Sequence, residues 1–313
     1  MFKKLVLLAV LPVLLASCSA TSTPQTPSGF SPAIPNQFNP NPTANNTNPA
    51  AANQLQVIVV PSELIVGQNR FAVGLIDPVK GMIHDAAVHF RYFDLSNPAS
   101  PTVESEADAT RLQTPDGETT IYAQEREFKR AGAWGVEVQA KFSDGTSMTK
   151  RVAFQVVSNS PTLKPGMKAP ALATRTAADV DGNLRMLSSA PHPNPAFYHQ
   201  TLAQALADGK PTALLFATPL FCQTRLCGPS YDVLDHLQQR YGSALNFIHV
   251  EVYTGLPDPA KTNWQLDPAM TAFGLQSEPW LFLIDKTGTI TYRVEGLFTE
   301  SEIEQHLKPL LGL

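Results

Sequence analysis

The sequence predicts two domains, an all-β domain followed by an α/β domain. From residue 55 to 157, apolar and polar residues alternate in short runs separated by turn-forming clusters, which is typical of half-buried β-strands. From residue 167 onward, short apolar runs instead alternate with helical patterns, which indicates a mixed sheet covered on both faces. The 313 residues are enough for two such domains.

The N-terminal segment has the pattern of a targeting signal and not that of a folded domain. Two lysines precede an apolar run over residues 5–15 that is too short to cross a membrane. The last leucine of this run and the three residues after it, Leu-Ala-Ser-Cys, end at Cys18 and resemble the lipobox of bacterial lipoproteins. The resemblance implies a signal peptide over residues 1–17 and a lipid on Cys18. We therefore expect an exported protein that is lipid-anchored to the cell membrane and faces the periplasm or the cell exterior.

The segment after Cys18 is predicted to be a tether. Residues 18–54 are rich in proline, asparagine and threonine, and they contain no charged residue. Such a composition cannot bury enough apolar surface to offset the entropy of ordering, so we expect an extended, disordered chain. The alternative is low-complexity sequence with no required length.

Charge and cysteine content narrow the function further. The net charge is −4 at pH 7, and it becomes about −6 if the two N-terminal lysines leave with the signal peptide. No basic patch stands out, which argues against nucleic acid as a partner. Of the three cysteines, lipidation of Cys18 would leave Cys222 and Cys227. An exported protein lies where disulfides form and persist.

Residues 55–157 are predicted to form an immunoglobulin-like β-sandwich, although they lack the cysteine and tryptophan signature of antibody domains. Asp144-Gly145 lies between two strand patterns and predicts a hairpin turn. Met82, His84 and His89 raise the possibility of a copper site. However, His89 points away from the apolar face of its strand and His84 falls in a turn. We therefore favour a spacer or docking module without a metal.

A turn-rich linker is predicted over residues 158–166, followed by the α/β domain over residues 167–313. The predicted order of elements is helix, strand, helix, strand, helix, two hairpin strands and a final helix. Thr287-Gly288 predicts the hairpin turn. Thr299 and Glu302 have the spacing of a capping box at the start of the final helix.

Three stretches of the α/β half are similar to one superfamily. They are "PGMKAPAL" with "DVDGNL" after it, a cysteine pair where a strand meets a helix, and "SEPWLFLIDKTGTI". On these stretches the half resembles the thioredoxin-like superfamily of TlpA-type reductases and peroxiredoxins. The resemblance implies that Cys222 and Cys227 are catalytic. It also implies that Pro279 is a cis-proline that faces them and pairs with the substrate chain.

The chemistry of that position agrees with the resemblance. A helix N-terminus stabilises an anion, so a thiol there ionises more readily, and the thiolate is the species that attacks a disulfide. The pair departs from the family because four residues separate the cysteines instead of two. We expect Cys222 to be the nucleophile and Cys227 to resolve the mixed disulfide. Glu278 precedes Pro279, and its carboxylate would raise a thiol pKa or accept a proton. A solvated rim charge is the alternative.

Three other interpretations of the pair remain open. Its spacing resembles that of peroxiredoxins of the bacterioferritin-comigratory type, but Pro219 stands where their threonine is expected. SCO-type copper chaperones share the anchor and the fold, but no histidine falls in a matching segment, so two thiolates would hold copper(I) at most. A structural disulfide in a binding module is the third interpretation.

The interpretation that the sequence favours is a membrane-anchored, extracytoplasmic thiol–disulfide oxidoreductase that acts through Cys222 and Cys227. Its expected partners are protein dithiols and disulfides of the cell envelope. We expect no cofactor and no metal. The sequence predicts neither the oligomeric state, nor the direction of electron flow, nor the substrate protein.

Overall fold

The structure is a computed structural model and describes residues 55–256 and 264–313. The predicted signal peptide, lipidation site and tether lie outside the described residues. Within the described residues, no helix has both the length and the apolar character needed to span a membrane. These residues all belong to one compact unit.

Between residues 55 and 157 the chain forms nine β-strands. They are β1 (Gln56–Val59), β2 (Gly67–Asp77), β3 (Gly81–Met82), β4 (Ala87–Asp94), β5 (Thr102–Asp108), β6 (Thr110–Gln113), β7 (Thr120–Phe128), β8 (Gly132–Lys141) and β9 (Ser147–Val156). One sheet has the order β1-β2-β7-β6, with β3 beside β2, and the other has the order β5-β4-β8-β9. All strand pairings in these two sheets are antiparallel.

The two sheets share one apolar core, and we call strands β1–β9 the sandwich. Phe71 of β2 and Tyr92 of β4 are fully buried and meet edge to face with their ring centroids 5.3 Å apart. The predicted Asp144-Gly145 turn is present between β8 and β9, because Phe142 N–H donates to Thr146 O at 2.9 Å. The alternating pattern therefore predicted the antiparallel sheets correctly. The immunoglobulin-like topology stays a prediction.

The rest of the chain forms the α/β part. Its elements are α1 (Leu202–Ala207), β10 (Thr212–Phe216), α2 (Cys227–Tyr241), β11 (Asn246–Val250), β12 (Tyr253–Thr254), β13 (Gln265–Leu266), α3 (Pro268–Phe273), β14 (Trp280–Ile284), β15 (Ile290–Glu295) and α4 (Glu300–Leu311). Three short 3-10 turns precede α1. The predicted order of helices and strands is correct, but the small β12–β13 pair and the 3-10 turns were not predicted.

The main sheet of the α/β part is mixed, with the order β11-β10-β14-β15. β10 runs parallel to β11 and antiparallel to β14. Leu214 and Phe216 of β10 pack with α1 and α3 on one face, whereas Ala213 and Leu215 pack with α2 and α4 on the other. Both faces are therefore covered, as predicted, which explains the continuous apolar run of β10.

The predicted capping box at α4 is only half correct. Thr299 caps the helix, since its hydroxyl accepts a hydrogen bond from Glu302 N–H at 3.3 Å. The Glu302 carboxylate does not return to the cap. It lies 2.5 Å from Nε of Arg70 in β2, and both side chains are largely buried. The ion pair with Arg70 of the sandwich thus replaces the hydrogen bond that Glu302 would make to the Thr299 backbone in a capping box.

The sandwich packs directly on the α/β part. One buried cluster joins the outer face of the sandwich's first sheet to the α/β part. Its members are Ala72, Leu112, Ile121 and Ala123 of the sandwich, and Leu226 and Leu297 of the α/β part. Ion pairs flank this cluster: Arg70 with Glu302, and Arg293 with Glu63 at 2.9 Å. The residues of the predicted linker are also packed, since Leu163 N–H donates to Phe273 O at 3.0 Å.

Breaking the buried Arg70–Glu302 pair should destabilise the protein. Arg70→Ala leaves the Glu302 carboxylate buried without its cation, so we expect a loss of about 3 kcal/mol in the free energy of unfolding. Arg70→Met with Glu302→Gln removes both charges and should cost clearly less. Urea unfolding of the two variants compares them directly. Equal losses would contradict this account of the pair.

Candidate active site

Cys222 lies on the loop that joins β10 to α2, and Cys227 begins α2. The loop folds back at Thr218, whose carbonyl accepts hydrogen bonds from Phe221 N–H at 3.2 Å and Cys222 N–H at 3.0 Å. Arg225 has a positive φ of 58°, and its N–H donates to Cys222 O at 3.2 Å. These two turns bring Cys222 back toward the start of α2.

Cys222 and Cys227 are joined by a disulfide, with their Cα atoms 5.9 Å apart. This Cα separation is ordinary for a disulfide. Cys227 is the first residue of α2 and is fully buried, whereas Cys222 lies in the loop with 8% of its surface exposed. The Thr224 hydroxyl lies 3.1 Å from Cys222 Sγ. The pair thus stands at a helix N-terminus, where a thiolate is stabilised.

Glu278 and Pro279 lie beside the pair. The bond between them is cis, as the resemblance implied. Glu278 Oε2 is 3.4 Å from Cys227 Sγ. Burial raises the pKa of Glu278, and hydrogen bonding to Thr218 offsets part of that rise. The Glu278 carboxylate is therefore partly buried and in contact with Cys227 Sγ, and its role in proton transfer stays a prediction.

A second buried acid, Glu251, lies close to Glu278 just after β11. It is 6% exposed, and its Oε2 accepts a hydrogen bond from Ser189 N–H at 2.9 Å. Burial raises the pKa of Glu251 to about 8, and the negative charge of Glu278 adds to that rise. The strand pattern around Glu251 does not show that both faces are buried, so nothing in the sequence indicates a role for this residue.

His249, two residues earlier, is buried in an uncharged network. Its Nδ1 accepts from the Tyr198 hydroxyl at 2.7 Å, and its Nε2–H donates to Ala217 O at 3.0 Å. Burial lowers the pKa of His249 to about 4. The imidazole therefore supports the cysteine loop at Ala217 as a neutral group.

Metal-binding donors converge at one place among the described residues. Cys222, Cys227 and Glu278 place two sulfurs and a carboxylate oxygen within 4.8 Å of one another. A soft divalent ion would need both thiolates, so only the reduced pair fits one. The histidines of the sandwich do not converge, since His84 contacts Thr120 and His89 contacts Asp108.

Aromatic side chains line the loop next to Cys222. Phe221 and Trp264 meet edge to face with ring centroids 5.2 Å apart, and Trp264 stacks on Tyr253 at 5.0 Å. Leu220, two residues before Cys222, has 63% of its surface exposed. Apolar surface is therefore available beside the more exposed sulfur.

Solved structures of thiol:disulfide interchange and thioredoxin-like proteins are similar to part of this chain. A thiol:disulfide interchange protein DsbE from Chlorobium tepidum is 19% identical, covers 48% of this chain and 100% of its own, and has a TM-score of 0.34. A thioredoxin-family thiol:disulfide interchange protein from Chlorobium tepidum TLS is 19% identical, covers 40% and 97%, and has a TM-score of 0.31.

A thioredoxin-like protein in its oxidised form is also similar, at 19% identity over 33% of this chain and 78% of its own, with a TM-score of 0.28. Protein-family models and curated proteins give no match to this chain. Function therefore has to be inferred from the geometry of the site itself.

Proposed function

We propose that the protein is a membrane-anchored, extracytoplasmic thiol–disulfide oxidoreductase whose reacting pair is Cys222 and Cys227. The observation that carries the proposal is the position of the disulfide. Cys227 begins a 15-residue helix, and the half-buried carboxylate of Glu278 lies 3.4 Å from its sulfur. A helix N-terminus favours the thiolate, and a carboxylate with a raised pKa is suited to accept a thiol proton.

In the reducing direction, the thiolate of Cys222 attacks a substrate disulfide. A mixed disulfide forms and the first substrate sulfur leaves as a thiolate. The Cys227 thiol then gives its proton to Glu278 and attacks Cys222 Sγ, which releases the second substrate thiolate and restores the Cys222–Cys227 disulfide. Two electrons pass from the pair to the substrate. The oxidising direction runs the same steps in reverse.

The order of the cysteines follows from access. Cys222 has 8% of its residue surface exposed, whereas Cys227 is fully buried. A substrate protein therefore reaches Cys222 first. The segment at Pro279 is expected to pair with the substrate chain, as the resemblance implies, with Glu278 beside it. Protein dithiols and disulfides of the cell envelope are the proposed substrates, and a lipid on Cys18 would keep the enzyme at the membrane.

The reduction potential of the pair tests the proposal. The full chain is equilibrated in glutathione or dithiothreitol buffers, and free thiols are counted by mass after alkylation. A potential between about −120 and −270 mV lies in the range of oxidoreductases, whereas one below about −300 mV indicates a structural disulfide. Consumption of hydrogen peroxide with a dithiol donor would instead favour the interpretation of the pair as that of a peroxiredoxin-like peroxidase.

Glu278→Gln should slow the second step and leave the first unchanged. Without a carboxylate to accept the Cys227 proton, we expect resolution of the mixed disulfide to slow by about 100-fold. Quenched-flow mass spectrometry would show the mixed disulfide accumulating. Glu118→Gln, the same exchange at an exposed turn of the sandwich, is the matched control. Resolution at the wild-type rate in Glu278→Gln would exclude the role as a base.

A further inference from the structure

The sandwich contacts the cysteine loop at the residue before Cys227. Leu226 is 9% exposed and belongs to the same buried cluster as Leu112, Ile121 and the alanines of β2 and β7 on the outer face of the sandwich's first sheet. Ala72 and Ala123 are directly opposite each other in that sheet. Two small side chains side by side leave room for the leucine to pack there.

A glycine at the same place shows how closely the two parts approach. Gly296 follows β15, and a Cβ there would lie 3.5 Å from Cγ1 of Val60 and 3.9 Å from Cδ1 of Leu226. Val60, which follows β1, and Leu226 of the cysteine loop thus both lie next to Gly296. The contact belongs to the cluster that contains Leu297, which is 1% exposed. Leu226 is therefore enclosed from both sides.

A second contact reaches the other loop of the site. Ser62, in the chain between β1 and β2, donates its N–H to Glu295 Oε2 at 2.8 Å. Glu295 Oε1 accepts from the Ser277 hydroxyl at 2.5 Å, and Ser277 directly precedes Glu278. Trp280 also holds Ser277, since its Nε1–H donates to the Ser277 hydroxyl at 2.9 Å. Glu295 therefore connects Ser62 by hydrogen bonds to Ser277, in the loop that carries the proposed base Glu278.

We propose that the sandwich is a working part of the redox site, and that Leu226 is a positioning residue which favours the oxidised pair by holding the cysteine loop against strands β2, β6 and β7. The inference rests on the proposed function, because it concerns the same two sulfurs. It gives the sandwich a task beyond spacing the site from the membrane.

The physical reason is the effective concentration of one sulfur at the other. An intramolecular disulfide forms more readily when both sulfurs are held near bonding geometry, because less freedom is lost on closure. The anchor at Leu226 limits the positions that the loop can adopt after reduction. Releasing the anchor should favour the dithiol and make the potential less negative.

The test compares reduction potentials of full-length variants purified in detergent. Leu226→Ala removes the anchor from the loop side, and Leu112→Ala removes its partner from the sandwich side without touching the α/β part. We expect each to shift the disulfide equilibrium constant toward the dithiol by about threefold to tenfold, where tenfold corresponds to about 30 mV. The double variant should shift it by less than the product of the two single effects.

Two controls separate positioning from general loss of stability. Leu220→Ala makes the same change in the same loop at an exposed position. Val138→Ala weakens the sandwich core but lies outside the cluster of Leu226. Both control variants should leave the reduction potential of the cysteine pair unchanged. Leu226→Met keeps a long apolar side chain at this position, so its potential should lie close to the wild-type value. Circular dichroism checks that each variant is folded.

The outcomes are distinct. Equal, coupled shifts in Leu226→Ala and Leu112→Ala support the inference. A shift in Leu226→Ala alone, or the same shift in Val138→Ala, overturns it. A wild-type pair that equilibrates with glutathione but exchanges with no protein disulfide would contradict the proposed function. The effect of Leu226 on the pair can still be measured in that case.

Discussion

Replacing Cys222 by serine is expected to reduce disulfide exchange to the uncatalysed rate, whereas replacing Cys227 should stop the reaction halfway. Cys222 is the proposed nucleophile, so without it we expect no mixed disulfide to form. Without Cys227 the mixed disulfide forms but nothing resolves it. The measurement is reduction of a test protein disulfide, with mass spectrometry to detect a substrate bound covalently to the Cys227→Ser variant.

The third cysteine supplies a matched control. Cys18→Ser makes the same substitution at the predicted lipidation site and should leave exchange in solution unchanged. If Cys222→Ser traps the substrate and Cys227→Ser does not, the roles of the two sulfurs are reversed. If both variants exchange like the wild type, the disulfide is structural and the proposed function is wrong.

The second large effect concerns the pH dependence of stability between about pH 4.5 and pH 8. Glu251 is protonated in the folded protein until the pH approaches its raised pKa of about 8, whereas in the unfolded chain it ionises near 4.5. The unfolded state therefore binds fewer protons between these values, and stability falls as pH rises, by about 1.4 kcal/mol per pH unit. Below pH 4.5 the effect is absent, and above pH 8 it is complete.

Glu251→Gln should remove this dependence. The difference in unfolding free energy between variant and wild type should move in favour of the variant from pH 5 to pH 8, by on the order of 4 kcal/mol in total. Urea unfolding at several pH values measures it. Glu118→Gln, at an exposed position, should show no such trend. A difference that does not change with pH would mean that Glu251 is ionised in the folded protein.

The charged and polar groups around Glu251 support this expectation. Ser189 N–H is its hydrogen-bond donor, and Glu278 is a like charge that favours the protonated form. The small cavity beside it is lined by polar side chains of several elements: Arg175, Tyr198, His249, Tyr253 and Asp267. Among the described residues, no cation forms an ion pair with Glu251.

The parts of the fold that the sequence predicts correctly are those with a local cause. Asp144-Gly145 and Thr287-Gly288 adopt turns because of their own backbone preferences. β10 is recognisable because burial on both faces requires a continuous apolar run. The cis-proline and the position of the cysteine pair came from the resemblance rather than from local patterns.

The parts that the sequence did not reveal depend on residues far apart in the chain. Glu302 satisfies the spacing rule of a capping box, but Arg70, which is 232 positions away, binds its carboxylate. In the sequence, Leu226 is one apolar residue of a loop, and no local pattern indicates that the sandwich covers it. Glu251 alternates with valines as a surface residue would, but it is buried, and its carboxylate accepts a hydrogen bond from Ser189, 62 positions earlier in the chain.

His249 and Glu251 have a joint consequence for the sulfurs. The imidazole is neutral above a pH of about 4, and the carboxyl is neutral below a pH of about 8. Over the interval between these limits, the interior behind the cysteine loop gains no charge from either side chain. These two side chains would then add no pH-dependent charge near Cys222 and Cys227, whereas ionisation of Glu278, whose carboxylate lies 3.4 Å from Cys227 Sγ, would still respond to the external pH.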